Sequence, residues 1–280
     1  MAEHPGSLKL RASQTQYHNR IFIRSLAAAF FTLIFPLFIF VVFSLIFGNE
    51  FIEDLGVNLS QYFGPAMAVF AAVSASYTNI AVTTAYQRDE GILKRIRGTP
   101  LPAGSYLGGK IVSALIIAVI SVTVMMVVGV AFYGIQIYAA TLPAAIFTFL
   151  VGVACFASLG LLVAGLVNSG EAATAVTNAT LLPLAFISGI FLVPSEDAPE
   201  WIDTVANFFP LKHFVVPFTD CFNPTYTGSP WQWDHLAYMA LWGAVALVLG
   251  IRYFKWEPTV GGGRKRGRRS RNADKDEVAA

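Results

Sequence analysis

Charge is scarce in this chain. Only 13% of its 280 residues are Asp, Glu, Lys or Arg, whereas 55% are hydrophobic. Soluble domains carry about 25% charged residues, so this composition excludes an ordinary soluble protein and is typical of a polytopic membrane protein. A helix needs about 20 mostly apolar residues to cross a bilayer. Six stretches qualify as spans, at 26–47, 62–85, 111–133, 142–167, 174–193 and 235–254.

Ionisable side chains are nearly absent from the interiors of these six stretches. The polar residues there are hydroxyls and amides, such as Ser76 and Asn178. Carriers driven by a proton or sodium gradient usually place Asp, Glu, Lys or His inside the membrane, because a titrating or ion-binding group has to sit there. The sequence therefore predicts that the energy for any uphill transport arrives from outside the bilayer.

Nucleotide-binding motifs are missing as well. One G-x-x-x-x-G-K match, at Gly104–Lys110, is followed by Ile111 instead of Ser or Thr and then by an apolar stretch. A phosphate-binding loop needs a preceding strand, a soluble helix and a hydroxyl for magnesium, so we interpret the match as chance. Lys110 is then expected to be a charge at the membrane boundary, and Gly108 and Gly109 to form the turn into the third span.

Cysteine is scarce, too. The chain has two, Cys155 and Cys221, which are expected to be free, buried thiols. No H-E-x-x-H, G-x-S-x-G or paired-cysteine spacing occurs. The sequence predicts a chain that is not an enzyme, with no catalytic residue, no metal site and no cofactor site of its own.

The basic residues that are present lie in three segments. Residues 1–25, the loop 86–110 and the end of the chain from Arg252 onward hold 18 of the 19 Lys and Arg residues. The opposite side of a six-span chain has Lys212 alone, against nine acids. Positive charge collects on the cytoplasmic side of membrane proteins, so both termini are expected in the cytoplasm.

Three segments outside the predicted spans carry further patterns. The lead at 1–25 fits an interfacial amphipathic helix from about Leu8 to Arg24, or else an unstructured basic anchor. The last segment, 255–280, has a basic run at 264–271 and predicts a disordered cytoplasmic tail that attracts anionic lipid; it lacks the aromatic or folded context of a nucleic-acid site.

The loop after the second span combines charge with amphipathic spacing. Its apolar residues Ile92, Leu93 and Ile96 alternate with basic ones, and Gly98 followed by Pro100 ends the pattern. The spacing predicts one or two helical turns along the inner membrane surface. The alternatives are a docking helix that moves the attached spans and a basic loop that only fixes topology.

The outer segment at about 193–223 is unusually aromatic and apolar for an aqueous loop. Prolines 199, 210 and 217 break it too often for a span. Non-helical backbone enters a membrane only where protein or water covers it. A re-entrant helical hairpin fits this constraint, and a small folded outer cap is the alternative.

These segments together resemble type-2 ABC exporter permeases, the class that includes the daunorubicin and multidrug-resistance permeases. The run RDEGILKRIRGTPLP at 88–102 looks like that family's coupling loop, and 19–48 is similar to its first span. The run LLPLAFISGIF at 181–191, with PEW at 199–201 and FPL at 209–211, resembles its fifth span and re-entrant segment. The pair Lys212-His213 departs from the apolar residues more usual there.

The resemblance implies an all-α protein with six transmembrane helices at 26–254, a cytoplasmic amphipathic helix, a coupling helix and a re-entrant outer segment. It implies a bacterial plasma-membrane permease that pairs with a second copy or a paralogue and docks two copies of a separate ABC ATPase, which holds ATP and magnesium. The cargo would be hydrophobic or amphipathic, such as a drug, an antibiotic or a lipid. Glycan or lipid export by the same class, an ion-coupled carrier and a non-transporting scaffold are the alternatives.

The family's functional residues map onto three sets in this sequence. The coupling set is Arg88, Asp89, Glu90, Gly91, Leu93, Lys94, Arg95 and Arg97. The set expected along a substrate path on the second and fifth spans is Phe70, Ser74, Thr78, Phe186 and Ile190, and the alternative is that these side chains only pack the helices together. The re-entrant set is Pro199, Trp201, Phe209 and Pro210.

Overall fold

The chain is mostly helical in a computed structural model, which describes residues 7–46, 50–52, 56–192 and 199–258. Ten helices follow one another along this described part: α1 (Ser7–Arg24), α2 (Leu26–Ala29, Phe30–Ile34 and Phe35–Ile46 in one run), α3 (Leu59–Asp89), α4 (Ile92–Arg97), α5 (Ala103–Tyr133), α6 (Leu142–Leu166), α7 (Gly170–Ile187), α8 (Glu200–Phe208), α9 (Pro210–Asp220) and α10 (Trp233–Tyr253). Two short strands, β1 (Phe51–Ile52) and β2 (Val57–Asn58), pair antiparallel before α3.

Four of the described helices, α3, α5, α6 and α10, are long and apolar enough to cross a membrane. The first predicted span coincides with α2, and the fifth, 174–193, overlaps α7, which begins at Gly170 and ends at Ile187. Two of the long helices also extend past their predicted spans: α3 continues to Asp89, and α5 begins at Ala103. Both extensions carry polar residues that neighbouring helices bury, so apolar composition alone did not reveal them.

Local sequence explains where these helices start and stop. Ser25 accepts a hydrogen bond from the Ala28 N–H and begins α2, and Ser169 does the same for Ala172 at the start of α7. Gly134, with φ of +69°, ends α5, and the Ile135 N–H then donates to the Gly129 carbonyl.

The central helix is α3. All its residues from 63 to 77 are buried, and a π-helical turn at Ser74–Thr78 interrupts its regular hydrogen bonding. Gly160 of α6 lies directly against this turn, because a methyl group there would sit 2.6 Å from the Tyr77 carbonyl oxygen. Such turns often occur at functional positions of helices.

Small residues bring α6 and α10 into close contact. A methyl group at Gly243 would lie 3.1 Å from the Cys155 Cα, and one at Gly250 would lie 3.2 Å from the Leu162 nitrogen. Glycine at such positions lets membrane helices approach along their backbones. Cys155 and Cys221 are both buried and free, which confirms the prediction made for them.

Candidate functional site

Helix α4 has one buried side and one basic side. Leu93 is fully buried, whereas Lys94, Arg95 and Arg97 are exposed. Gly91, with φ of +70°, makes the turn between α3 and α4, a backbone conformation that favours glycine. The helix therefore presents its charge to the aqueous phase while its apolar side holds it against the bundle.

The two residues that end α3 point into the bundle or onto its neighbouring turn. Arg88 is 1% exposed, and its Nη1 donates to the Ala164 carbonyl oxygen of α6 at 2.7 Å. Asp89 accepts the Gly170 N–H, the first of α7, at 2.7 Å. Of the eight residues expected to form a coupling surface, the structure thus places Arg88 and Leu93 inside. Glu90 and the basic residues of α4 remain at the surface.

A buried polar cluster joins α1 to α3 and α5. Gln87 accepts hydrogen bonds from the Tyr106 hydroxyl at 2.6 Å and from Lys110 Nζ at 3.1 Å. His18 of α1 stacks edge-on against Tyr106, and burial together with nearby Lys110 lowers the pKa of His18 to about 3. A cavity of about 10 Å³, room for one water, lies beside this cluster.

This cluster corrects two expectations for the start of α5. Lys110 is 3% exposed instead of standing free at the membrane boundary. Gly108 and Gly109 lie inside α5 instead of in an entry turn, and Gly109 lies against the backbone of α1. The G-x-x-x-x-G-K match is thus helical from Gly104 onward, and a helix offers no loop to surround a phosphate.

The residues after α10 lie on the side of the molecule that carries α4 and this buried cluster. Trp256 packs against Tyr106, with 5.9 Å between ring centroids, and Arg97 of α4 lies 3.8 Å from Glu257. Residues 255–258 of the predicted tail are therefore placed beside α4. The basic run at 264–271 lies outside the described residues.

The residues expected along a substrate path are only partly brought together. Phe70 and Phe186 meet through Phe191, whose ring centroid lies 5.2 Å from the first and 4.9 Å from the second. Ser74 and Thr78 stand at the two ends of the π-helical turn. Ile190, like Phe70 and Ser74, is buried within the single chain, whereas Phe186 is 49% exposed. Sequence reasoning missed Phe191, which links the two aromatic members.

The residues of the expected re-entrant set lie on or beside two short helices that meet at a bend, and Pro199 directly precedes α8. Phe209 has extended backbone between α8 and α9, and Pro210 starts α9. Trp201 on α8 is 63% exposed. Lys212 forms an ion pair with Asp203 across the bend, and its hydrogen bond lowers the pKa of that carboxyl.

Comparison with known proteins decides the family. The sequence profile of the ABC-2 family transporter proteins matches residues 53–252, well over half of the chain. The chain belongs to this ABC-2 family. YvfS of Bacillus subtilis (strain 168), whose name describes a transport permease, is 26% identical over 149 residues. That match covers 53% of this chain and 60% of YvfS, so the chain spans somewhat less than two thirds of its relative's length.

The family match identifies the chain as an ABC-2 family transporter protein. The matched range holds α3 to α9, nearly all of α10 and every residue of the three expected sets. Helices α1 and α2 lie before it, and residues 254–258 lie after it. The buried cluster of His18, Gln87, Tyr106 and Lys110 therefore joins the matched range to a helix that precedes it.

Proposed function

We propose that this ABC-2 protein is the membrane-spanning subunit of an ATP-binding-cassette exporter and that separate ATPase subunits press on α4. The observation that supports this most directly is the two-sided character of α4. Its exposed basic side fits an acidic docking groove, buried Leu93 holds its other side against the protein, and short turns of the chain join it to α3 and α5. A helix held in this way passes a push to the spans on either side of it.

The proposed arrangement has six spans, with α2 and α7 added to the four long apolar helices. The distribution of Lys and Arg supports a cytoplasmic position for both termini, for α4 and for the turn between α6 and α7. Helices α8 and α9, of 9 and 11 residues, are too short to cross and form the re-entrant outer segment. The working unit contains two permease chains and two ATPases in a bacterial plasma membrane.

The proposed cargo is hydrophobic or amphipathic. The path follows α3 and α7, along Phe70, Ser74, Thr78, Phe186 and Ile190, with Phe191 added between the aromatic rings. The exposed face of α7 supports this, because it presents Phe186 together with the amide of Asn178. Polar groups inside a membrane usually face protein or water rather than lipid. A mixed apolar and amide surface suits a drug, an antibiotic or a lipid.

The coupling role is tested by reversing charge on α4. The double variant Arg95→Glu and Arg97→Glu is reconstituted in liposomes with the ATPase that copurifies with the permease. We expect ATP turnover to fall to the level of the ATPase alone while membrane insertion stays intact. The matched control reverses Arg20 and Arg24, two exposed basic residues of α1, which changes the charge of the same membrane side by the same amount away from α4.

Two results would contradict the proposal. Wild-type turnover in the double variant would remove the docking role of α4. Accumulation of cargo by the purified permease on a pH or sodium gradient, with no ATPase present, would remove the exporter assignment itself.

A further inference from the structure

Arg88 and Asp89 contact the facing ends of two consecutive helices. Arg88 Nη1 donates to the Ala164 carbonyl oxygen, in the last turn of α6, at 2.7 Å. Asp89 Oδ2 accepts the N–H of Gly170, the first residue of α7, at 2.7 Å. The last carbonyls and first N–H groups of a helix have no partner within it, so these two side chains satisfy groups that the helices leave open.

The charges match the helix ends that they contact. A helix carries partial negative charge at its C-terminus and partial positive charge at its N-terminus. The guanidinium lies at the C-terminus of α6, and the carboxylate lies at the N-terminus of α7. Because hydrogen bonds to charged groups are roughly twice as strong as neutral ones, the α6–α7 turn is held firmly to the end of α3.

Packing reinforces the same attachment. The ring of Tyr86 covers Gly170 so closely that a methyl group there would lie 2.5 Å from its Cγ. Ser169 caps α7 by accepting the Ala172 N–H at 3.1 Å. The turn is thus fixed by one charged contact on each side and by an aromatic ring above it.

Two further hydrogen bonds tie α3 to α7 farther along the pair. The Tyr77 and Thr180 hydroxyls lie 2.8 Å apart near the middle of the helices. The Tyr62 hydroxyl donates to the Gly189 carbonyl oxygen at 2.6 Å, just beyond the outer end of α7. Antiparallel α3 and α7 are therefore joined at the inner end, the middle and the outer end.

We infer that Arg88 and Asp89 are positioning residues that make α3 and α7 move as one unit when α4 is displaced. Only Glu90 and Gly91 separate Asp89 from α4, so a displacement of α4 reaches Asp89 almost directly. The chain connects α4 covalently to α3 and α5 alone. Asp89 and Arg88 extend the movement to the α6–α7 turn, and the two tyrosines keep the outer end of α7 in step. This inference rests on the proposed coupling role of α4.

The test compares neighbouring carboxylates in the assembled permease–ATPase complex. Asp89→Ala removes the acceptor of the Gly170 N–H, whereas Asp89→Asn keeps an oxygen there and loses only the charge. Glu171→Gln is the matched control, because Glu171 is an exposed acid in the first turn of α7, next to Gly170, and lies outside the coupling set. Spin labels at Thr99→Cys, just after α4, and Ala175→Cys on α7, with Cys155 and Cys221 replaced by serine, report how far each helix moves on ATP binding.

We expect Asp89→Ala to keep the ATP-dependent movement of α4 and to lose that of α7, with ATP turnover lowered about tenfold, the effect of removing one charge-assisted hydrogen bond. Asp89→Asn should fall between Asp89→Ala and wild type, and Glu171→Gln should match wild type. Unchanged α7 movement in Asp89→Ala, in a protein that still elutes as an assembled complex, would overturn this inference and leave the exporter assignment standing. Full turnover in the Arg95→Glu and Arg97→Glu variant would instead remove the docking role of α4, on which this inference rests.

Discussion

Two adjacent glycines on α5 allow a controlled test of how α1 is held. A methyl group at Gly109 would lie 2.5 Å from the Gln14 Cβ and 3.1 Å from both the Arg11 carbonyl oxygen and the Thr15 nitrogen. Carbon atoms normally pack at about 3.5–4.0 Å, so α1 would have to move away by about 1 Å. Gly108 differs sharply, because its nearest neighbour is the flexible Arg11 side chain at 3.7 Å.

The two substitutions should therefore change stability in opposite directions. Alanine inside a helix is better than glycine by about 0.5–1 kcal/mol, which is the gain expected for Gly108→Ala. Gly109→Ala makes the same gain but adds overpacking against backbone, which costs about 1–3 kcal/mol. The displacement would also strain the hydrogen bond of Ser113 to Asn19, which is 2.6 Å long.

The assay is an SDS titration of the purified protein in detergent, together with maleimide labelling of Thr15→Cys. Thr15 is 8% exposed and faces α5, so a displaced α1 should label faster. We expect a lower free energy of unfolding and faster labelling for Gly109→Ala than for Gly108→Ala. Equal stability and equal labelling in the two variants would refute the packing described for α1.

Two further predictions follow from the same contacts. Gly160→Ala should lower the free energy of unfolding by about 1–3 kcal/mol, because its methyl group would lie 2.6 Å from the Tyr77 carbonyl oxygen in the π-helical turn. The control is Gly104→Ala, where the methyl group would have no neighbouring atom within 4 Å. Equal SDS-unfolding curves for the two variants would contradict the contact at Gly160. Burial lowers the pKa of His18 from 6.5 to about 3, so the unfolded chain binds the extra proton as the pH falls through 6.5. Stability should drop by about 1.4 kcal/mol between about pH 7.5 and about pH 5.5, and His18→Phe should remove that part of the pH dependence in the same titration.

The apolar stretches of the sequence located all four of the described helices that are long enough to cross a membrane. They placed the end of α3 too early and the start of α5 too late. Hydropathy identifies only the segments that can face lipid. Helices α3 and α5 both continue into polar sequence beyond those segments. Gln87 and Lys110 remain helical there because α1 and the neighbouring helices cover them, not lipid. The local sequence does not reveal which residues other helices will bury. Lys110 was therefore expected as a charge at the membrane boundary.

The coupling set shows the same limit within one short segment. The resemblance assigned Arg88 to the same coupling surface as Lys94, Arg95 and Arg97, and the last three are exposed. Arg88 belongs to α3, where its side chain reaches an open carbonyl of α6. A helix end is a favourable partner for a side chain of opposite charge, but the position of the α6 end relative to α3 depends on the fold and not on local sequence.

The three ties between α3 and α7 are unequal, and their order bears on how force travels. Neutral hydrogen bonds between membrane helices contribute about 0.6 kcal/mol on average, which applies to the tyrosine contacts at Thr180 and Gly189. A hydrogen bond to a charged group contributes about 1.5–3 kcal/mol, which applies to Asp89. The strongest tie therefore lies beside α4, where displacement would begin, and the weaker ties lie farther out. A displacement of α4 would thus act first on the strongest tie, and the tyrosine contacts at Thr180 and Gly189 would then carry it along α7 to the end of that helix farthest from α4.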